Sequence, residues 1–205
     1  MLAMSCRFCE AAVEQVLDLG TTPPANSLLE TRTSVQDRYP LVLEWCRNCS
    51  NVQLRDCLTA EELYRDYLYV TPESSMLSDH YEKLRAFLTQ NGYLGSDSRV
   101  MEIGSNAGLF LQSLQPHVKS VVGIDPAREI AEAANKAGIP TVIDFFNAES
   151  ATAAAEQYGR PDIVVGRHCM AHNEWPQEMV RGAAAALGNS GHLVIENAYV
   201  MNTLQ

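Results

Sequence analysis

Two cysteine pairs, Cys6-x-x-Cys9 and Cys46-x-x-Cys49, constrain this chain more than any other feature. Each pair can give two thiolates to one ion at about 2.3 Å, and two pairs complete a tetrahedral four-cysteine zinc site that leaves no open position for substrate or water. The site is therefore expected to be structural. Between the pairs lie only two short apolar stretches, Val16-Leu17 and Leu41-Val42-Leu43. That is too little for an unaided core, so metal binding is expected to supply folding free energy that burial does not. A redox C-x-x-C is the rival reading, but that motif occurs singly at a helix start rather than as a pair of pairs. Cys57 and Cys169 stand outside the quartet and read as small, half-buried residues.

The 205 residues, 46% of them hydrophobic and 20% charged, can bury a core. A formal net charge of −10 opposes a polyanionic partner, so nucleic acid is not expected as a ligand. No apolar run approaches the ~20 residues that span a bilayer, and the first residues, with Arg7 and Glu10, lack a signal-peptide core. The expectation is a cytoplasmic protein with no membrane partner, a reducing setting in which clustered cysteines hold metal rather than disulfides.

The pattern falls into three segments: residues 1–57 with the cysteine pairs, a helical linker or lid over 58–97, and an α/β segment over 98–205. Thr59 and Glu62 fit a capping box. After the Thr71-Pro72 break, Leu77, Tyr81, Leu84 and Leu88 recur at helical spacing and need a partner surface. From Arg99 onward, short β-branched runs alternate with Ala-rich stretches, the signature of βαβ units and a parallel sheet. Strands are expected at Val100–Ile103, Val121–Ile124, Thr141–Ile143, Asp162–Val165 and His192–Glu196. Helices are expected at Ala107–Leu114, Ala127–Ala137, Ala148–Tyr158 and Pro176–Leu187.

The first of these strands runs through Glu102-Ile103 into Gly104-Ser105-Asn106-Ala107-Gly108, a turn whose glycines permit positive φ and close approach of a ligand. The second strand ends in Asp125, where a doubly wound fold places a carboxylate on ribose hydroxyls. An N-cap role for Asp125, helped by Pro126 at the first helical position, is the competing reading. A dinucleotide fingerprint would need glycine at Asn106 and Leu109, which disfavours NAD. An adenosine ligand without phosphates, with a charged amino-acid arm that could use Glu102, fits better: S-adenosylmethionine.

Taken together, these stretches resemble the zinc-containing sugar C-methyltransferase family, whose members methylate a carbon of a nucleotide-linked keto-deoxysugar. The likeness runs through both cysteine pairs, Leu17-Asp18-Leu19-Gly20, Pro24-Ala25-Asn26-Ser27-Leu28-Leu29, Leu63-Tyr64 and Tyr67-Leu68-Tyr69. It continues in Glu102 to Gly108, Gly123-Ile124-Asp125-Pro126-Ala127 and Gly138-Ile139-Pro140-Thr141 through Asp144-Phe145-Phe146. The resemblance implies a small zinc-binding module, a helical linker and a truncated Rossmann-like methyltransferase domain, in that order. It implies that Gly104, Ser105, Asn106, Gly108 and Asp125 cradle the cofactor and that Phe145 and Phe146 fall beside the adenine. Tyr67, Tyr69, Thr71, Ser74 and Ser75 would lie on a segment covering the active site. The chain departs from the family at Ala107, where an acidic residue is usual. Core packing is the competing expectation for the two phenylalanines and for Tyr64, Tyr67 and Tyr69.

Methylation next to a ketone requires a general base for the acidic proton and a donor for the developing oxyanion. His172, beyond the fourth strand at the carboxyl edge of the sheet, is the expected base or donor, with Tyr67 or Tyr69 as donor. Two other readings stay open in the sequence. One is a truncated remnant that binds cofactor or partner without catalysis; the other is a zinc-ribbon interaction module. The chain stops at Gln205, before the further strands, the Tyr-His-Glu-His-like motif and the C-terminal domain that the resemblance implies. The strand near Val194 is therefore expected to be an exposed apolar edge inviting self-association, and turnover by this length of chain is expected to be small.

Overall fold

The computed structural model describes residues 5–25, 27, 29, 31, 33–64, 67 and 69–199. Asn26, Leu28 and Leu68 of the family-like stretches, and the end of the last segment beyond residue 199, lie outside the described residues. The chain forms two compact units, Met1–Tyr69 and Val70–Gln205.

In the first unit, β1 (Glu14–Thr22), β2 (Tyr39–Trp45) and β3 (Val52–Leu54) form an antiparallel sheet in the order β1-β2-β3. β2 alternates inward and outward, so Val42, Glu44 and Cys46 are buried in register and the strand delivers Cys46 to the metal-ligating end. β1 extends well beyond the apolar pair Val16-Leu17, because pairing with β2 rather than burial holds it: its residues are exposed until Thr22. The short helix α1 (Ala60–Tyr64) starts at the expected capping box. There the Thr59 amide donates to Glu62 Oε2 at 2.9 Å and the Glu62 amide to Thr59 Oγ1 at 3.3 Å.

The second unit opens with α2 (Ser75–Gln90), capped by Ser74, whose side chain accepts from the Leu77 amide. Five parallel strands follow: β4 (Arg99–Ile103), β5 (Ser120–Ile124), β6 (Thr141–Val142), β7 (Ile163–Arg167) and β8 (His192–Glu196). Between them run α3 (Leu109–Leu114), α4 (Arg128–Lys136), α5 (Ala148–Tyr158) and α6 (Pro176–Ala186). The order β6-β5-β4-β7-β8 reverses between β4 and β7, the switch point at whose carboxyl ends open α/β sheets bind ligands.

The period-2 alternation of β4, β5 and β7 sorts the core into two layers. Val100, Val121, Ile163 and Val165 meet Tyr81, Leu88, Phe110, Leu111 and Leu114 on one face. Met101, Val122, Ile124 and Val164 meet Ala151, Ala154, Met179, Ala183 and Ala186 on the other. The expected face of α2 packs on the first layer, with Tyr81 and Leu88 buried and Leu77 and Leu84 partly so. α3 begins at Leu109 rather than Ala107, because Asn106 and Gly108 take positive φ of 50° and 74° and keep the turn open two residues longer. β8 is an edge strand, as expected, but its side chains are not bare. Leu193 packs on one core layer and Val194 on the other, and among the described residues no strand pairs with the outer edge of β8. Among the described residues no helix is long and apolar enough to cross a membrane.

Candidate metal centre and cofactor site

The two cysteine knuckles share one backbone geometry. The Cys6 amide donates to Ala11 O at 2.8 Å and the Glu10 amide to Cys6 O at 2.8 Å; the Cys46 amide donates to Asn51 O at 2.8 Å and the Ser50 amide to Cys46 O at 2.9 Å. Each loop closes through a non-glycine residue at positive φ, Glu10 at 60° and Ser50 at 64°. This repeated strained turn aims both thiols of each pair the same way.

The four sulfurs lie within 4.8 Å of one another, with Cys6–Cys49 and Cys9–Cys46 contacts of 3.5 Å. A tetrahedral ion with bonds near 2.3 Å sets its sulfurs about 3.8 Å apart, so the quartet fits zinc. The thiol chemistry agrees. The Asn48 amide group, then the Ala11 amide, bring Cys9 down to about 6 against burial. Cys49 goes up to about 12: the Asn51 amide favours its thiolate, but burial and the three other sulfurs outweigh it. Cys9 is thus drawn toward the thiolate and Cys49 toward the thiol, opposing demands that one divalent ion would reconcile. Outside the quartet, Asn51 donates to Gln53 Oε1 at 3.2 Å and to Cys6 Sγ at 3.7 Å, which ties the second knuckle to the first. Cys57 is exposed rather than half-buried, since it lies past β3 where no strand covers it; Cys169 is half-buried as expected.

The second constellation stands at the carboxyl edge of the parallel sheet. Asp125 follows β5 and is buried, with Oδ2 accepting from the Asn106 amide at 2.7 Å and Oδ1 from the Ala127 amide at 2.9 Å. Burial raises its proton affinity while those two amides lower it. It does not cap α4, whose cap is Ala127; it ties the glycine turn to the start of the next helix. Asn106 Oδ1 in turn accepts from the Thr71 amide at 2.8 Å and the Ala107 amide at 2.9 Å, which attaches the stretch before α2 to the same turn.

Two glycines are required by contact, and Gly108 by its positive φ of 74° as well. A side chain at Gly108 would meet Ile139 Cγ2 at 2.9 Å, and one at Gly123 would meet Ser105 Oγ at 2.2 Å.

Sequence alternation puts Glu102 on the same face of β4 as Val100, an apolar position, and there it is wholly buried. Its partner, which sequence reasoning missed, is Arg167 at the end of β7, donating from Nε at 2.9 Å and Nη2 at 2.7 Å to Oε1. Tyr81 and Phe110 flank the guanidinium, with ring centroids 4.7 and 4.4 Å from Cζ. Burial lifts Glu102 to about 7; Arg167 opposes the rise, and Asp125 and Glu196 add to it.

Phe146 packs against the second core layer and Gly182, where a Cβ would come within 2.8 Å of its ring; like Phe145 beside it, it is half-buried. His172 closes a 3-10 turn, Met170–His172, beyond β7 and is exposed. A second imidazole nearby, His168, sits at a positive φ of 52° and binds Glu196 Oε1 at 2.9 Å, while His80 of α2 binds Oε2 of the same carboxylate at 2.9 Å. Tyr67 and Tyr69 belong to the first unit, where Tyr67 packs edge-on to Tyr64 at 5.4 Å and lies 6.2 Å from Tyr69.

A thiol quartet shaped for zinc, joined in one chain to a doubly wound sheet with a glycine turn and a carboxylate at adjacent strand ends, defines a zinc-bearing α/β domain of the adenosine-binding class. Residues 76–200 match the methyltransferase domain family, and residues 6–64 match a zinc binding domain found with it. The chain belongs to this methyltransferase family, and S-adenosylmethionine and zinc are its cofactors. It is 32% identical to C-methyltransferase NovU of Streptomyces niveus over 203 residues, 98% of this chain and 48% of NovU. The chain thus spans about half the length of that curated relative. Solved structures overlap in part. YcgJ of Bacillus subtilis matches 58% of this chain and 51% of its own at 18% identity with a TM-score of 0.45. The plantazolicin methyltransferase BpumL, solved with SAH, matches 60% and 48% at 16% identity with a TM-score of 0.46. Overlaps of that size carry no functional assignment.

Proposed function

We propose that this chain is the zinc-binding and cofactor-binding part of a C-methyltransferase that acts on a nucleotide-linked keto-deoxysugar. One observation carries the reading: the tetrathiolate module precedes a glycine turn laced to Asp125, in a chain whose likeness to NovU runs almost end to end. The open backbone of Gly104 and Gly108 admits the cofactor, the Asp125 oxygens retain lone pairs for ribose hydroxyls, and Ser105, Asn106 and Glu102 complete the cradle. Phe145 and Phe146, both half-buried, are the candidates for the adenine face. When bound, S-adenosylmethionine supplies an electrophilic methyl group on a sulfonium. The chain's own tasks are to hold the acceptor carbon in line, take its acidic proton and stabilise the enolate oxygen. His172, carried by the second unit, is the candidate base; Tyr67 and Tyr69, carried by the first, are the candidate donors. Zinc has a structural part, because four thiolates leave it no open position.

The test is transfer of labelled methyl from S-adenosylmethionine to nucleotide-linked keto-deoxysugars by the zinc-loaded protein. Incorporation that is stable to base and located on carbon is expected. Transfer confined to oxygen or nitrogen acceptors would overturn the sugar reading while leaving the fold intact.

A further inference from the structure

Glu102 is wholly buried, and among the described residues only one of its oxygens is paired: both Arg167 donors go to Oε1, and Oε2 has no hydrogen-bond partner there. The guanidinium lies over both the Tyr81 and Phe110 rings, which themselves meet edge-on at 5.4 Å, and this packing holds it at that one oxygen. The pair bridges the adjacent ends of β4 and β7, at the switch point under the glycine turn. Other charged or titratable groups act on it from each neighbouring element. These are Asp125 from β5, Tyr81 from α2, Cys169 from the loop after β7, and Glu196 from β8, itself bonded to His80 and His168. Glu102 thus feels two further carboxylates, Asp125 and Glu196, against the one guanidinium that pairs with it. Arg167 needs the Glu102 charge, but the unpaired Oε2 remains a cost of burial that a positive ligand beside it would offset.

We propose that the Glu102–Arg167 pair makes cofactor uptake proton-coupled. A cationic ligand at the turn drives the proton from Glu102 into bulk solvent, and Arg167 is the positioning residue that keeps the ionised carboxylate in place. The inference rests on the cofactor reading above. The sulfonium of S-adenosylmethionine is positive and the thioether of S-adenosylhomocysteine is neutral, so the same pair separates cofactor from spent product by charge. Burial supports the coupling, since it holds Glu102 near about 7 in the free protein and leaves a proton to expel at slightly acid pH.

Calorimetric titration of the zinc-loaded full chain, in two buffers of very different ionisation heat, reads the proton directly. With Glu102 at about 7 when free and ionised when bound, linkage gives release of about 0.9 proton at pH 6 and about a fivefold gain in S-adenosylmethionine affinity from pH 6 to 7. S-adenosylhomocysteine should show a flatter profile and smaller release. Glu102→Gln should abolish the release, which assigns it to this carboxylate. Arg167→Met, which keeps the stack and removes the charge, should move the affinity rise to higher pH, and Arg167→Lys should bring it partly back; a merely structural arginine would leave that midpoint where it is. Wild-type binding of S-adenosylmethionine with no proton exchange overturns the proposal, as does equal release by Glu102→Gln. Absence of saturable heat with either ligand overturns the cofactor reading, and the coupling with it.

Discussion

Gly123→Ala should open the cofactor turn from behind. Gly123 lies in the middle of the sheet, and a Cβ there would fall 2.2 Å from Ser105 Oγ, 2.7 Å from Ser105 Cβ and 3.2 Å from Thr141 Oγ1. Contacts this short cannot be absorbed by a rotamer change, because the Ser105 Cβ is fixed by its backbone. The turn must move off the sheet instead, taking the Asn106–Asp125 bond with it. Overpacking of this kind costs about 1–3 kcal/mol of stability. The repair is specific. Ser105→Ala removes only the hydroxyl contact and should rescue little, whereas Ser105→Gly removes both atoms. The lost hydroxyl has no hydrogen-bond partner among the described residues, so the penalty of Ser105→Gly alone is mainly the glycine entropy of roughly 0.5–1 kcal/mol. Urea unfolding of the four proteins of the cycle should give a favourable coupling of about 1–2 kcal/mol between Gly123→Ala and Ser105→Gly. Additive losses in the double variant would refute the close approach of strand and turn on which the site rests.

Cys46→Ser should lower bound zinc to well below one equivalent and loosen the first unit, because the ion closes both knuckles; metal analysis with amide exchange over residues 5–57 checks it. Phe110→Ala should cost about 3–5 kcal/mol, read by urea unfolding, since the ring is fully buried and touches both Tyr81 and the guanidinium of Arg167. Glu102 should also shape stability against pH. Its folded value of about 7 exceeds its ordinary 4.5, so the folded protein binds a proton the unfolded chain has lost. The contribution is present below pH 4.5 and is lost as pH rises through 7, a fall of about 3 kcal/mol. Glu102→Gln should remove that falling segment from the pH profile of unfolding.

Much of the architecture was legible because each element announces itself locally. All five parallel strands and the four helices between them lie within two residues of expectation, since β-branched runs and Ala-rich stretches alternate cleanly after Arg99. The Thr59–Glu62 box and the α2 face were equally direct. The length of β1 was hidden, because an exposed strand held by backbone pairing has no apolar alternation to read. Arg167 was hidden for another reason. A glutamate in an otherwise apolar strand signals a buried counter-charge, but which cation supplies it depends on β7 lying next to β4, a fact of strand order and not of spacing. The carboxylate shared by His80 and His168 joins residues 116 positions apart on one side, and no local pattern marks it. At Phe146 the family resemblance pointed to the adenine and the strand-end position to packing; the contact between its ring and Gly182 on α6 depends on helix placement that no local pattern marks.

The most direct measurement of the central claim is equilibrium binding of S-adenosylmethionine to the zinc-loaded chain, wild type against Asp125→Ala. Wild type should bind saturably with one site. Asp125→Ala should lose about 1.5–3 kcal/mol, roughly 10- to 150-fold in dissociation constant, as a hydrogen bond to a charged group is removed, with thermal unfolding confirming that the variant remains folded. An unchanged constant in a folded Asp125→Ala would return that carboxylate to its two backbone amides alone, and no binding by the wild type would contradict the account.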